Sequence, residues 1–201
     1  MKLRYSPTSP YVRKVLVLAI ETGLDERIER VLTNPWADDA ALANDNPLGK
    51  VPTLVTDDGM VLYDSPVICE YLDSLHHGTR VFPIAGKARW MALRQQALGD
   101  GILDAAVLRR LEGQRPAAQR SDSWETMQRE TVQRGLDALE REAASWDGRL
   151  QIGQIAAACA LGYLDFRFPQ ESWRTGRSAL AVWFERFAAR ASMTTTLPTG
   201  Q

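Results

Sequence analysis

The sequence predicts a two-domain protein in which an α/β domain precedes an all-helical domain. Three observations support this fold class. Short strand patterns and helix patterns alternate over the first 75 residues. A polar break, His76–Arg80, follows them, and after Pro83 the apolar residues recur only with the helical period. We therefore expect one domain over residues 1–77, a linker over residues 78–86 and a helical domain over residues 87–201.

The N-terminal region reads as strand, helix, strand, short helix, hairpin and helix. Lys2–Tyr5 has a strand pattern, and apolar residues at helical spacing predict a helix over Pro10–Glu21 that stops at Gly23. Arg27–Leu32 reads as the second strand, and a short helix is predicted near Asp38–Asn44. This order indicates a small mixed sheet flanked by helices, which is the thioredoxin-like arrangement.

A hairpin and the helix after it form the most informative stretch. Asp58-Gly59 lies between two apolar β patterns, which is a strong hairpin signal. After the hairpin, Ser65 is a good N-cap and Pro66 suits the first helical position. The free N–H groups at such a helix start favour a carboxylate or a phosphate, and Asp64 adds a negative charge beside them. A ligand that carries both an ammonium and a carboxylate, such as an amino acid, would suit this site.

Four helices are predicted in the C-terminal region, at about Lys87–Glu112, Ser123–Trp146, Ile155–Phe166 and Arg177–Arg190. The third is apolar nearly all round, which is typical of a central buried helix. In the first helix the period places Trp90 and Leu108 on the inner face, and in the second Met127. The last segment, Ser192–Gln201, is small and polar, and we expect it to be disordered.

Composition excludes several classes of function. The net charge of −1 gives no electrostatic reason to bind nucleic acid or an anionic membrane, and no stretch is long and apolar enough for a membrane span. Cys69 and Cys159 lie far apart in apolar runs, as buried structural thiols do. No metal site is expected, because the adjacent His76 and His77 do not share a helix face. No signal peptide is evident, so a cytoplasmic protein is expected.

The stretch Asn46–Pro52 and the pair Asp64-Ser65 resemble the glutathione-binding half of the glutathione S-transferase superfamily. The resemblance implies that the Val51–Pro52 bond is cis and that the backbone of Val51 pairs with the cysteinyl part of glutathione. It implies that Asp64-Ser65 holds the γ-glutamyl group, and it makes Lys50 a further candidate contact. Glutathione is then a co-substrate, and no metal is implied.

The helical region resembles the second domain of the same superfamily, so the resemblance spans nearly the whole chain. Its sharpest piece is Cys159–Arg167, which is similar to a bacterial branch close to the YibF-type transferases. One departure concerns the start of the buried helix, where the family usually has a Ser/Thr-x-x-Asp capping box. The equivalents here are Gln151 and Gln154, and neither is a strong cap.

Ser9 is the candidate catalytic residue. A free thiol has a pKa of about 8.5, so a hydroxyl donor at a helix N-terminus would stabilise the thiolate that conjugation needs. Ser9–Val12 is similar to the Ser-Pro-x-x start of serine-type transferases, in which this serine activates glutathione. The alternative is that Ser9 only caps its helix. Ser6, Thr8 and Tyr11 are then the other possible donors.

Asp100 and Asp104 form an acidic pair one turn apart in the first long helix. In related enzymes an acidic residue from this helix of the second subunit approaches the γ-glutamyl ammonium. The other interpretation is a solvated or interface-lining pair.

Together these expectations describe a cytoplasmic, homodimeric glutathione transferase-like protein. It would bind glutathione in the N-terminal domain and a small apolar electrophile between the domains, as in detoxification. Two alternatives stay open. One is a non-catalytic binding or scaffold protein of the same fold, and the other is a glutathione-dependent isomerase or reductase. Serine rather than cysteine at position 9 weakens disulfide exchange as an activity.

Overall fold

The structure, a computed structural model, describes residues 1–37, 40–146 and 148–200. These residues form a four-stranded sheet and eight α-helices. The strands are β1 Lys2–Tyr5, β2 Glu29–Leu32, β3 Thr53–Val55 and β4 Val61–Leu62. The helices are α1 Pro10–Glu21, α2 Ala40–Asp45, α3 Ser65–Ser74, α4 Gly86–Gln114, α5 Asp122–Ala143, α6 Ile152–Arg167, α7 Ser178–Ala188 and α8 Ala191–Thr194. An α/β domain followed by helices was predicted, and this fold class is confirmed.

The sheet is mixed and has the strand order β2-β1-β3-β4. Strands β1 and β2 are parallel, whereas β3 is antiparallel to both β1 and β4. Leu3 of β1 lies opposite Leu54 of β3, and both side chains are fully buried. Helices α1 and α3 pack against each other, so the core of this unit lies between helices and sheet.

Helix α1 has the predicted bounds, because its two ends carry clear signals. Ser9 caps its start, and Gly23 follows its end with φ of +69°, a conformation that glycine adopts without strain. The second strand starts later than predicted, at Glu29, because Asp25–Arg27 form a 3-10 turn. The predicted start of the short helix, Asp38, lies outside the described residues, and α2 is seen from Ala40.

The C-terminal segment Ser192–Gln201 was predicted to be disordered; this is wrong for residues 192–196, and Gln201 lies outside the described residues. Residues 191–194 form α8, in which Met193 is 1% exposed. The buried Arg13 of α1 donates from Nη2 to the Met193 carbonyl oxygen at 3.0 Å and from Nε to Thr196 Oγ1 at 3.4 Å. The segment therefore belongs to the α/β unit, which contains residues 1–90 and the chain from Ala191. The helical unit is Met91–Arg190, a division that differs from the expected helical domain over residues 87–201.

The predicted linker begins with an ordered turn. Asp73 lies near the end of α3, and its Oδ1 is 2.9 Å from Nε2 of His76. Both side chains are almost buried. The Asp73 carboxylate also accepts the backbone N–H of Val81 at 2.8 Å and of Phe82 at 3.1 Å. His76 is therefore part of the packed structure, whereas its neighbour His77 is exposed.

The helical unit is organised around α6, as predicted, and every residue from Ile152 to Leu161 is buried. The predicted inner face of α4 is wrong, because Trp90 is 69% and Leu108 39% exposed. The inward face of α4 instead combines the apolar Ile102 and Leu103 with small and polar residues, among them Ala92, Gln95, Gln96, Gly99, Ala105 and Ala106. On α5, Met127 is also exposed.

The start of α6 is better capped than its sequence suggests. Gln154 Oε1 accepts the backbone N–H of Gln151 at 3.1 Å, which is the backward half of a capping box. Gln151 and Gln154 therefore form the cap of α6, in place of the serine or threonine and the aspartate that the family usually has there. None of the described helices is both long and apolar enough to cross a bilayer.

Candidate active site

Most of the predicted site residues meet at one edge of the sheet. Thr53 of β3 lies opposite Arg4 of β1, and the β3–β4 register pairs Leu54 with Leu62. Continuing the β1–β3 register by one residue places Pro52 in line with Tyr5, and continuing the β3–β4 register by two residues places it in line with Asp64. Because α1 follows β1 and α3 follows β4, both helices also begin at this edge.

The loop before Pro52 is held by a buried asparagine. Asn46, 1% exposed, donates from Nδ2 to the Lys50 carbonyl oxygen at 3.0 Å and to Thr53 Oγ1 at 3.1 Å. Thr53 Oγ1 donates to the same carbonyl at 2.8 Å, and Gly49 takes φ of +61°. The Lys50 side chain itself is exposed. We did not predict Asn46 and Thr53 as positioning residues, although an Asn-Pro pair with a following glycine is a turn signal.

The Val51–Pro52 peptide bond is cis, as the family resemblance implied, and so is the Tyr63–Asp64 bond. Val51 is 8% exposed and lies two residues before the start of β3. Within the described parts of the chain, neither its N–H nor its carbonyl oxygen has a hydrogen-bond partner. The backbone of Val51 can therefore pair with an extended peptide-like ligand.

The start of α3 differs from the prediction. Asp64, not Ser65, is the N-cap, and its carboxylate accepts the backbone N–H of Ser65. Ser65 is the first helical residue and Pro66 the second. The Ser65 hydroxyl is buried, and none of the described residues is its hydrogen-bond partner. Because the capping role falls to Asp64, this hydroxyl remains available to a ligand at the positive end of α3.

Ser9 caps α1, and its Oγ accepts the backbone N–H of Val12 at 3.3 Å. A hydroxyl has two lone pairs and one proton, so this cap leaves the proton to donate elsewhere. Capping and thiolate stabilisation therefore do not exclude each other, although the sequence suggested that they compete. Ser6, Thr8 and Tyr11 are partly exposed near the same helix start, and Tyr11 already has an interaction of its own.

The acidic pair belongs to the other unit. Asp100 is partly exposed and Asp104 exposed, one turn apart on α4, and each has an interaction with another group. The structure thus places Ser9, Val51, Pro52, Asp64 and Ser65 in the α/β unit and the acidic pair in the helical unit.

Known proteins identify the class. The family model for the glutathione S-transferase N-terminal domain matches residues 8–75, and the model for the glutathione S-transferase C-terminal domain matches residues 105–186. The chain belongs to the glutathione S-transferase family, and the resemblance read from the sequence is confirmed. It is 38% identical to the uncharacterized GST-like protein YibF of Escherichia coli K12, over 98% of each chain.

Two solved structures are similar over essentially the whole length. One is a glutathione transferase family member from Pseudomonas fluorescens Pf-5 with bound glutathione, 46% identical over 99% of each chain with a TM-score of 0.95. The other, a family member from the same strain, has bound S-(propanoic acid)-glutathione and is 42% identical over 100% of each chain, with a TM-score of 0.91.

Proposed function

We propose that the protein binds glutathione at the sheet edge defined by Val51, Asp64 and Ser65. The observation that carries this proposal is the buried Ser65 hydroxyl without a partner among the described residues. A buried polar group left unpaired costs about 1–3 kcal/mol, and a ligand carboxylate would remove this cost. The carboxylate of the γ-glutamyl group would accept from Ser65 and from the free N–H groups of α3. Its ammonium would bind the exposed carboxylate of Asp64.

The rest of glutathione would follow from this anchor. The cysteinyl residue would pair with the N–H and carbonyl oxygen of Val51, which have no partner among the described residues. The two relatives with bound glutathione or a glutathione conjugate support this assignment, because they match the chain over nearly its whole length.

We propose that Ser9 stabilises the thiolate of the bound glutathione. Its hydroxyl proton would be donated to the sulfur while its lone pair retains the cap with Val12. The positive end of α1 would favour the same negative charge. The sulfur would then form a bond to an electrophilic carbon. The displaced electron pair would leave with a leaving group, or be protonated at the adjacent carbon when the acceptor is a double bond.

The acceptor is proposed to be a small electrophile. S-(propanoic acid)-glutathione, bound by one relative, is a thioether that carries a carboxylate. We therefore extend the proposed acceptors from apolar electrophiles to electrophiles that bear a short acid.

We propose a cytoplasmic homodimer. The two cysteines, Cys69 and Cys159, are buried and are not joined in a disulfide, which suits a reducing compartment. Helices α4 and α5 expose large apolar side chains, of which Trp124 is 40% and Met127 44% exposed. Such side chains are typical of a surface that is covered by a partner. In this proposal Asp100 of one subunit approaches the γ-glutamyl ammonium bound by the other.

Calorimetry of glutathione binding tests the central proposal. Ser65→Ala should weaken binding by about 10- to 100-fold, the effect of losing a hydrogen bond to a charged group. Ser74→Ala is the matched control, because Ser74 lies at the other end of α3 and donates only to its own helix. A wild-type protein that binds no glutathione would contradict the proposal. Binding without turnover of any acceptor would favour the non-catalytic alternative.

A further inference from the structure

The helical unit contains a cavity of about 340 Å³ that lies among the segment after α5, the start of α6 and the second half of α7. Its volume is in the range of small-molecule sites, about 300–1,000 Å³. The described residues that decide its chemistry are Trp146, Gln154, Trp183, Arg186, Phe187 and Arg190. All of them belong to the helical unit, so the cavity does not include the residues assigned to glutathione.

Three aromatic rings form one wall of this cavity. The ring centres of Trp146 and Trp183 are 4.3 Å apart with an interplanar angle of 73°, which is an edge-to-face contact. The ring of Phe187, one turn after Trp183 on α7, is 5.0 Å from that of Trp183. Both tryptophans are partly exposed, so the wall keeps open aromatic surface against which a flat ligand can pack.

Two polar side chains of the cavity have hydrogen-bond donors without a partner. The indole Nε1 of Trp146 is buried, none of the described residues accepts from it, and an indole can only donate. Gln154 Oε1 accepts the backbone N–H of Gln151, which leaves its amide Nε2 as a donor. That Nε2 has no acceptor in the described part of the chain.

The charges beside the aromatic wall are positive. Arg186 is exposed, and no carboxylate of the described residues forms an ion pair with it. The guanidinium carbon of Arg190 lies 5.5 Å from the centre of the Phe187 ring, and this arginine also has an interaction with another group. The described lining residues include no aspartate or glutamate.

The described lining side chains thus offer donors and no free acceptor. A ligand that fits them has acceptor atoms only, and a carboxylate is such a group. Its two oxygens also match the planar fork of an arginine, with hydrogen bonds that the charges strengthen. The aromatic wall adds a preference for a flat ring over an aliphatic body.

We propose that this cavity is a binding site for an aromatic carboxylate. The ring of the ligand packs against Trp183 and Phe187, and its carboxylate accepts from Arg186, with the amide of Gln154 as a further donor. This proposal does not rest on the proposed function, because no step of it involves glutathione.

Three probes test the two parts of the ligand by calorimetry. 2-Naphthoate has the ring and the charge, 2-naphthamide has the ring alone, and cyclohexanecarboxylate has the charge alone. The wild type should bind 2-naphthoate tighter than either of the others by about tenfold or more. A wild type that does not bind 2-naphthoate, or that binds all three alike, would overturn the proposal.

Variants locate the binding. Arg186→Gln should weaken 2-naphthoate binding by about tenfold or more, and Arg186→Lys, which keeps the charge but loses the fork, should retain part of the affinity. Arg134→Gln is the matched control, because Arg134 is an exposed arginine on α5 that lies 3.7 Å from Glu130. It should leave the affinity unchanged. Ser65→Ala should also bind 2-naphthoate like the wild type, so this site and the glutathione site can fail separately.

The indole N–H signals of the six tryptophans give a structural readout by NMR. The signal missing from Trp146→Phe identifies Trp146. In the wild type this signal should shift on addition of 2-naphthoate, and in Arg186→Gln it should shift less at the same concentration. A Trp146 signal that does not move, or equal affinities of the wild type and Arg186→Gln for 2-naphthoate, would overturn the proposal.

Discussion

Gly99 of α4 lies directly against the backbone of Ala156 in α6. A Cβ at Gly99 would be 2.8 Å from the Ala156 carbonyl carbon and 2.9 Å from the Ala156 Cβ. These neighbours belong to the part of α6 in which every residue is buried, so they cannot move singly. The close approach explains why the inner face of α4 has a glycine at this position.

Gly99→Ala should therefore destabilise the fold by about 1–3 kcal/mol, the usual cost of overpacking. Gly101→Ala is the control, because a Cβ there meets no atom within 4 Å. Alanine is the better helix former, so this variant should be as stable as the wild type or more stable by up to about 1 kcal/mol. Urea unfolding measures both, and equal stabilities of the two variants would contradict the packing argument.

Ser9→Gly separates the two roles of Ser9. Glycine is a tolerable N-cap, so the free energy of unfolding should fall by only about a few tenths of a kcal/mol. The hydroxyl donor, however, is lost. Turnover with an electrophile should fall by about 10- to 1,000-fold, the scale for removing one donor to an anion. Glutathione affinity should change much less.

Ultraviolet difference spectra recorded against pH measure the ionisation of the bound thiol and so test directly whether Ser9 stabilises the thiolate. The bound thiol of the wild type should ionise at lower pH than free glutathione, and this shift should shrink in Ser9→Gly. Ser9→Thr, which keeps a hydroxyl, should restore most of it. If the thiolate titrates alike in the wild type and in Ser9→Gly, Ser9 is a cap and nothing more.

Asp73→Ala should destabilise the protein by about 3 kcal/mol. The Asp73 carboxylate accepts two backbone N–H groups, from Val81 and Phe82, and pairs with His76 in a nearly buried position. Removing it leaves these donors unsatisfied, at about 1–3 kcal/mol for each buried group. His77→Ala changes an exposed neighbour and should be neutral. Denaturant midpoints of the two variants would test this difference.

Sedimentation at micromolar concentration should give twice the 22.4 kDa mass of the chain. Placing a charge in the exposed apolar surface, as in Met127→Glu, should weaken the dimer, while Glu130→Gln on the same helix should not. A concentration-independent monomer would rule out the dimer and, with it, any contribution of Asp100 from a partner subunit.

Elements with strong local signals could be predicted from the sequence. Helix α1 was predicted to the residue, because Ser9, Pro10 and Gly23 act within a few residues of its ends. The cis bond before Pro52 followed only from the family resemblance, since most such bonds are trans.

The errors concern interactions between distant segments. The C-terminal segment is polar, and its contacts with α1, about 180 residues away, account for its order: Arg13 donates to the Met193 carbonyl oxygen and Ser192 donates to Glu21. Periodicity placed Trp90 of α4 inward, whereas the fit of Gly99 against Ala156 decides which face is buried. At α3 two adjacent residues, Asp64 and Ser65, are both good caps, and the sequence does not choose between them.

The contact between Arg13 and α8 makes the α/β unit discontinuous along the chain. During synthesis, Met193 leaves the ribosome only after all of Met91–Arg190 has been made. Until then the Arg13 guanidinium lacks its acceptor, and the α/β unit is incomplete however early its sheet forms. A fragment ending near Trp90 would therefore not reproduce this unit. The helical unit is, in effect, an insertion that delays the last step in the assembly of the glutathione-family domain that precedes it.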